Sequence, residues 1–124
     1  MHTVAELYAF RKAAEKAGMS EGDVARLVTF LSRNPDAGDV IEGTGGCRKL
    51  RFALESSAKG KSGGVRTITL FSGAEMPVFL LTVFAKGQKV SLSKAERNEL
   101  KKATGQIVQE YRNRVQRLAA GDEK

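Results

Sequence analysis

Apolar positions along the chain change period twice, and each change marks a change of element. From Val4 to Ala17, Leu7, Phe10, Ala14 and Ala17 recur at helical spacing, and Gly18 stops the run, so the pattern predicts a first helix there. Ser20 then stands three residues before Asp23 in a capping arrangement, and Val24, Leu27, Val28 and Leu31 follow on one face of a second helix. That helix ends before Asn34-Pro35, because proline restricts the residue preceding it. A polar, glycine-rich connection runs from Asp36 to Gly46.

Beyond it the period becomes two. Between Cys47 and Leu54, Leu50, Phe52 and Leu54 share one face while Lys49 and Arg51 share the other. Glu55 to Gly64 reads as a loop, Val65 to Phe71 as a second strand, and Ser72 to Glu75 as a turn. Val78 to Ala85 is almost continuously apolar, as expected of a central strand covered on both faces. Ser93 and Glu96 form a second capping box, and Leu100, Ala103, Ile107, Tyr111, Val115 and Leu118 then recur at three or four. The expected fold is α+β: a small antiparallel sheet flanked by two N-terminal helices and one long C-terminal helix. It forms one domain over residues 1–124, with the tail fraying after about Leu118.

Composition sharpens this picture through charge. The 124 residues carry 21 Lys and Arg against 14 Asp and Glu, a net of +7. Residues 1–46 are net −2, residues 47–89 net +6 and residues 90–124 net +3, so the strand region holds most of the excess. If Leu50 and Phe52 pack on helices, Lys49 and Arg51 project from an open face, where Arg66 and Lys86 join them once the strands are neighbours. Four cations without carboxylate partners repel one another unless an anion uses the surface, which points to a nucleic acid. The basic excess of the C-terminal third reads as a solvated face. The cations lie on strands rather than on a short helix, which argues against a DNA-reading helix.

Other chemistries find little support. Gly60-Lys61-Ser62 has the ending of a phosphate-binding loop, but that pattern needs glycine where Glu55 stands and a helix where Gly63-Gly64 leads into a strand. One His and one Cys give no metal set, and Cys47 and His2 read as a core residue and a frayed terminal residue rather than a nucleophile pair. Asp39 and Glu42 sit among turn glycines, and Gly43 to Gly46 reads as a turn before an anion nest. No cofactor is expected. The longest apolar run is too short to span a bilayer, the N-terminus has no secretory pattern, and a lone cysteine suits a reducing compartment, so a cytoplasmic protein is expected. A cation-only site remains compatible with RNA cleavage, because RNA carries its own nucleophile in the 2′-hydroxyl. Arg can clamp phosphate, and a lysine crowded by cations can move protons.

Four blocks carry a family resemblance: Asn34 to Gly46 with Arg48 to Arg51, Gly60 to Arg66, Leu80 to Lys86, and Leu92-Ser93. In order and spacing, residues 20–102 resemble the RelE/HigB-like toxins of bacterial toxin–antitoxin modules. The resemblance implies a microbial-ribonuclease style of sheet and ribosome-dependent, metal-independent cleavage of messenger RNA. It also implies a cognate antitoxin, often of helix-turn-helix type, through which alone DNA would be met. It places basic side chains at the positions of Lys49, Arg51, Arg66 and Lys86, the expected catalytic residues: on our reading Lys49 and Arg51 grip phosphate, Arg66 stabilises the transition state, and Lys86 or Lys61 moves protons. Arg48, Lys59, Lys61, Phe84 and Lys89 are the expected RNA contacts. Similar sequences often carry tyrosines where this chain has Thr69, Leu70 and Phe84. That departure keeps open a catalytically weak or silent RNA-binding protein on the same fold, and a third reading makes the basic face a dock for an acidic protein.

Overall fold

Ser20 opens its helix as the spacing predicts. Its hydroxyl accepts from the Asp23 backbone N–H at 3.0 Å, and the Asp23 carboxylate accepts from the Ser20 N–H at 3.0 Å. In the computed structural model, which describes residues 1–55, 64–85, 87 and 92–119, this helix spans Glu21–Arg33 and buries Leu27 and Leu31. The first helix is shorter than its periodicity suggests. It runs only over Tyr8–Lys16, buries Phe10 and Ala14, and ends before Gly18, whose φ of 85° suits glycine. We call these helices α2 and α1.

Val4–Glu6, expected within the first helix, is instead a short strand, β1. It lies parallel to Val78–Ala85, with Val4 opposite Val78 and Glu6 opposite Leu80. The reason is hydrogen bonding: that strand would otherwise leave one edge unpaired. The Val78 N–H donates to the Thr3 carbonyl at 2.9 Å, and the Leu7 N–H to the Leu80 carbonyl at 3.2 Å. A two-residue strand, β2 (Asp39–Val40), also forms inside the expected loop, against Cys47–Phe52.

The remaining strands are β3 (Cys47–Phe52), β4 (Val65–Leu70) and β5 (Val78–Ala85), and the last helix, α3, covers Lys94–Ala119. The five strands form one sheet in the order β1-β5-β4-β3-β2. All neighbours are antiparallel except β1 and β5, so the sheet is mixed rather than purely antiparallel. The predicted box at the start of α3 is present, with the Ser93 N–H donating to Glu96 Oε1 at 2.8 Å and the Glu96 N–H to Ser93 Oγ at 3.1 Å.

Each face of the sheet has its own core. On one side Val65, Val78, Leu80 and Val83 pack with Phe10, Leu27 and Leu31 of α1 and α2, and Leu50 and Phe52 join them. On the other, Cys47, Ile68, Leu70, Phe79 and Leu81 pack under Leu100, Ile107, Val108 and Tyr111 of α3. A bulge after Ile68 shifts the β4–β5 register, which brings both Leu81 and Thr82 to the α3 side. The basic face is therefore not open along its whole length: α3 covers the end carrying Cys47, Leu70 and Phe79. The apolar stripe of α3 outruns the sheet, leaving Val115 44% and Leu118 70% exposed.

Candidate nucleic-acid interface

The end of the sheet away from Cys47, Leu70 and Phe79 is built by strand register, with Phe84 packed at the margin of the core under α3. Arg51 of β3 lies directly opposite Arg66 of β4, and Arg66 directly opposite Phe84 of β5. Directly paired residues project from the same face, so the three side chains form a row across three strands. Arg51 is exposed, whereas Arg66 and Phe84 are half-buried.

Like charges facing each other across a ladder destabilise it, and among the described residues neither Arg51 nor Arg66 makes an ion pair. Gly64 lies beside both arginines. A Cβ placed there would lie 3.9 Å from both Arg51 Cγ and Arg66 Nη1, and 3.3 Å from the Phe52 carbonyl oxygen. The Arg66 guanidinium and the stem of Arg51 thus both lie close to a residue without a side chain.

Lys49 shares this face, half-buried opposite Ile68, where the open end meets the part under α3. Arg48 does not share it. Alternation sends its side chain to the opposite face, where Nη1 donates to the Gly38 carbonyl at 3.3 Å. There Nε is buried without a hydrogen-bond partner among the described residues, as is Oγ1 of Thr69, its partner across the ladder. Lys59, Lys61, Lys86 and Lys89 lie outside the described residues. Of the three positions where tyrosines were expected, Thr69 is buried on the α1–α2 side and Leu70 under α3; Phe84 alone belongs to the arginine row.

The groups set aside as nucleophiles are absorbed by the fold. Cys47 is fully buried, and burial pushes its thiol pKa up, partly opposed by a hydrogen bond from Thr44. His2 is not frayed: its N–H donates to the Ser32 carbonyl at 2.8 Å, and its ring bonds the Met76 carbonyl and meets Phe71 edge-on at 5.1 Å. Among the described residues no three His, Cys, Asp or Glu side chains gather as a metal site requires, and no helix is long and apolar enough to cross a membrane. The Gly43–Gly46 turn is a structural tie. Thr44 Oγ1 accepts from the Cys47 N–H at 3.1 Å, and the Thr44 carbonyl accepts from Thr104 Oγ1 of α3 at 3.1 Å.

Pattern alone could not pair Arg51 with Arg66, because register depends on where each strand begins. Gly64 carried no signal beyond its place in a glycine-rich loop. What results is a pair of facing arginines with an aromatic flank, on a sheet whose other end is covered by a helix. Compared with known families, the chain matches the RelE toxin of the RelE/RelB toxin–antitoxin system over residues 4–123. A match over nearly the whole chain, on an α+β fold of this form, means that the protein belongs to the RelE toxin family and is the toxin of a toxin–antitoxin pair whose partner is a RelB-type antitoxin.

Proposed function

We propose that the protein cleaves messenger RNA on the ribosome without a metal ion, and that its antitoxin, of helix-turn-helix type, neutralises it. The observation that carries this reading is the Arg51–Arg66 pair, two permanently charged side chains set opposite each other with no ion pair among the described residues. A phosphodiester between them would relieve their repulsion and be held bidentately.

In the proposed reaction the 2′-oxygen attacks the adjacent phosphorus. The bond to the 5′-oxygen breaks, leaving a 2′,3′-cyclic phosphate and a free 5′-hydroxyl. The proton lost from the 2′-hydroxyl goes to a base, and the leaving oxygen takes one from an acid. Arg66, half-buried and close to Gly64, is suited to stabilise charge that grows on the phosphorane oxygens. Arg51 and Lys49 grip phosphate, and Phe84 supplies a ring on which a base can stack. Proton transfer is assigned to Lys86 or Lys61.

The test is induction of the protein in a bacterial host without its antitoxin, with new 5′ ends mapped on messenger RNA. The expected result is growth arrest and cuts inside translated frames. Arg66→Ala should reduce cleavage by about two to three orders of magnitude, the usual effect of removing one transition-state donor. Unchanged toxicity in a folded Arg66→Ala protein would remove Arg66 from the mechanism. A second reading, a silent RNA-binding protein, rests on Phe84, which brings no hydroxyl to the arginine row. Intact transcripts and normal growth with confirmed soluble expression would favour it.

A further inference from the structure

On the flank of α2, Arg26, Phe30 and Arg33 recur at i, i+4 and i+7, beside the end of β3. This stripe lies next to the core-facing stripe of Val24, Leu27, Val28 and Leu31 without being part of it, and Phe30 is 38% exposed. Phe52, the last residue of β3, lies beneath: its ring centre is 6.3 Å from that of Phe30, tilted by 48°. The Arg26 guanidinium sits 4.9 Å from the centre of the Phe52 ring.

Arg26 is fixed in place. Its Nη2 donates to Asp23 Oδ1 at 3.2 Å and to the Ala53 carbonyl at 3.0 Å, and Nε lies 3.8 Å from Glu55 Oε1. Two carboxylates meet its charge, so it serves as a flat wall rather than a phosphate ligand. Arg33 is exposed and makes no ion pair among the described residues. These side chains line an open depression of about 480 Å³.

We propose that this depression is a stacking subsite for one base of single-stranded RNA. Phe30 is the platform, the Arg26–Phe52 stack the wall, and Arg33 the contact to the adjoining phosphate. The proposal rests on the reading of Arg51 and Arg66 as an RNA site and extends it. Continuity supports it, because Phe52 follows Arg51 directly on β3, so the two project from opposite faces of one strand end. In the proposed path, RNA gripped at Arg51 and Arg66 rounds that strand end and presents a further base to Phe30. The chemistry favours a base over a peptide. The exposed apolar surface is an aromatic ring framed by guanidinium groups, which suits a flat π-system next to a phosphate.

The test uses the full-length chain and a short single-stranded oligoadenylate containing 2-aminopurine, compared with an abasic oligomer of equal length. Binding should quench 2-aminopurine fluorescence. Phe30→Leu should weaken oligoadenylate binding about five- to tenfold, the effect expected from losing one stacked base, and reduce the quenching. It should leave the abasic oligomer unaffected, and Phe30→Tyr should restore both affinity and quenching. Arg33→Ala should weaken both oligomers equally. Wild-type affinity and quenching in folded Phe30→Leu, with both oligomers weakened by Arg66→Ala, would overturn the subsite and leave the arginine site standing. If the unaltered protein binds neither oligomer, the arginine reading falls and the subsite with it.

Discussion

The carboxylate of Asp23 is almost wholly withdrawn from solvent, yet donors from α2 with its cap and from the chain beyond β3 converge on it. The Ser20 N–H reaches Oδ2, while Arg26 Nη2 and the Glu55 N–H, at 3.1 Å, reach Oδ1. One acid thus caps α2, orients Arg26 over Phe52 and secures the chain as it leaves β3. Asp23→Ala should keep the Ser20 hydroxyl cap but remove the reciprocal half of the capping box, and strand the other donors. The expected loss is about 2–4 kcal/mol of unfolding free energy, read from urea titration, with Asp23→Asn recovering part of it. A change below about 0.5 kcal/mol, the size of an ordinary surface substitution, would contradict this role. The Ser20–Asp23 spacing announces the cap in the sequence, but nothing local announces Arg26 or Glu55 as further partners. Cys47 gives a pH prediction. Its pKa is raised on folding, so folding favours the protonated thiol. That contribution is complete below the ordinary thiol pKa of 9.0 and is lost as pH rises from there through the folded value. Stability should therefore decline on the alkaline side more steeply in the native chain than in Cys47→Ala, and an identical decline would refute the assignment.

Elements with a long, regular pattern were legible, and those made by partners were not. The capping boxes and apolar stripes of α2 and α3 identify both helices, and alternation identifies β3 and β4. Three-residue β1 was hidden because Val4 and Leu7 continue the spacing of α1; its strand geometry comes from the exposed edge of β5, more than seventy residues away in the chain. Amphipathicity likewise showed that α3 must bury a stripe without showing which sheet face receives it. The answer lies partly in the Thr44–Thr104 tie, where Gly45, at a φ of 79°, also lets α3 approach: a Cβ there would meet Thr104 Oγ1 at 3.1 Å. Thr104→Val keeps the shape of the side chain but removes the one hydroxyl proton that the Thr44 carbonyl, at 3.1 Å, shares with the Lys101 carbonyl, at 2.9 Å. The expected cost is about 1–3 kcal/mol. Hydrogen exchange should show α3 amides opening faster while those of α1 and α2 are unaffected; uniform acceleration across the molecule would mean that the tie is not local to α3.

At the scale of the whole molecule, charge and covering helix divide the surface between them. The middle third of the chain carries most of the positive excess, and α3 covers one end of the sheet face on which Lys49, Arg51 and Arg66 stand. Sequence alternation could select those residues because period two fixes sidedness. It could not delimit the site, because register and the position of α3 arise only on folding. Positive charge also extends elsewhere: Arg112, Arg114 and Arg117 are exposed on the last turns of α3, next to the uncovered Val115 and Leu118. Bulk attraction would draw on both regions, whereas a defined phosphate site would draw on one. Salt dependence separates these cases, since each phosphate contact to a single strand contributes a slope of about −0.7 in log K against log salt. Removing Arg51 and Arg66 together should flatten the slope for single-stranded RNA by about 1.4, and removing Arg112, Arg114 and Arg117 together should leave it nearly unchanged. The reverse result would move the RNA path from the sheet to α3. Lower affinity at an unchanged slope in the sheet variant would mean that Arg51 and Arg66 support the surface without touching phosphate, and the clamp assigned to them would have to be given up.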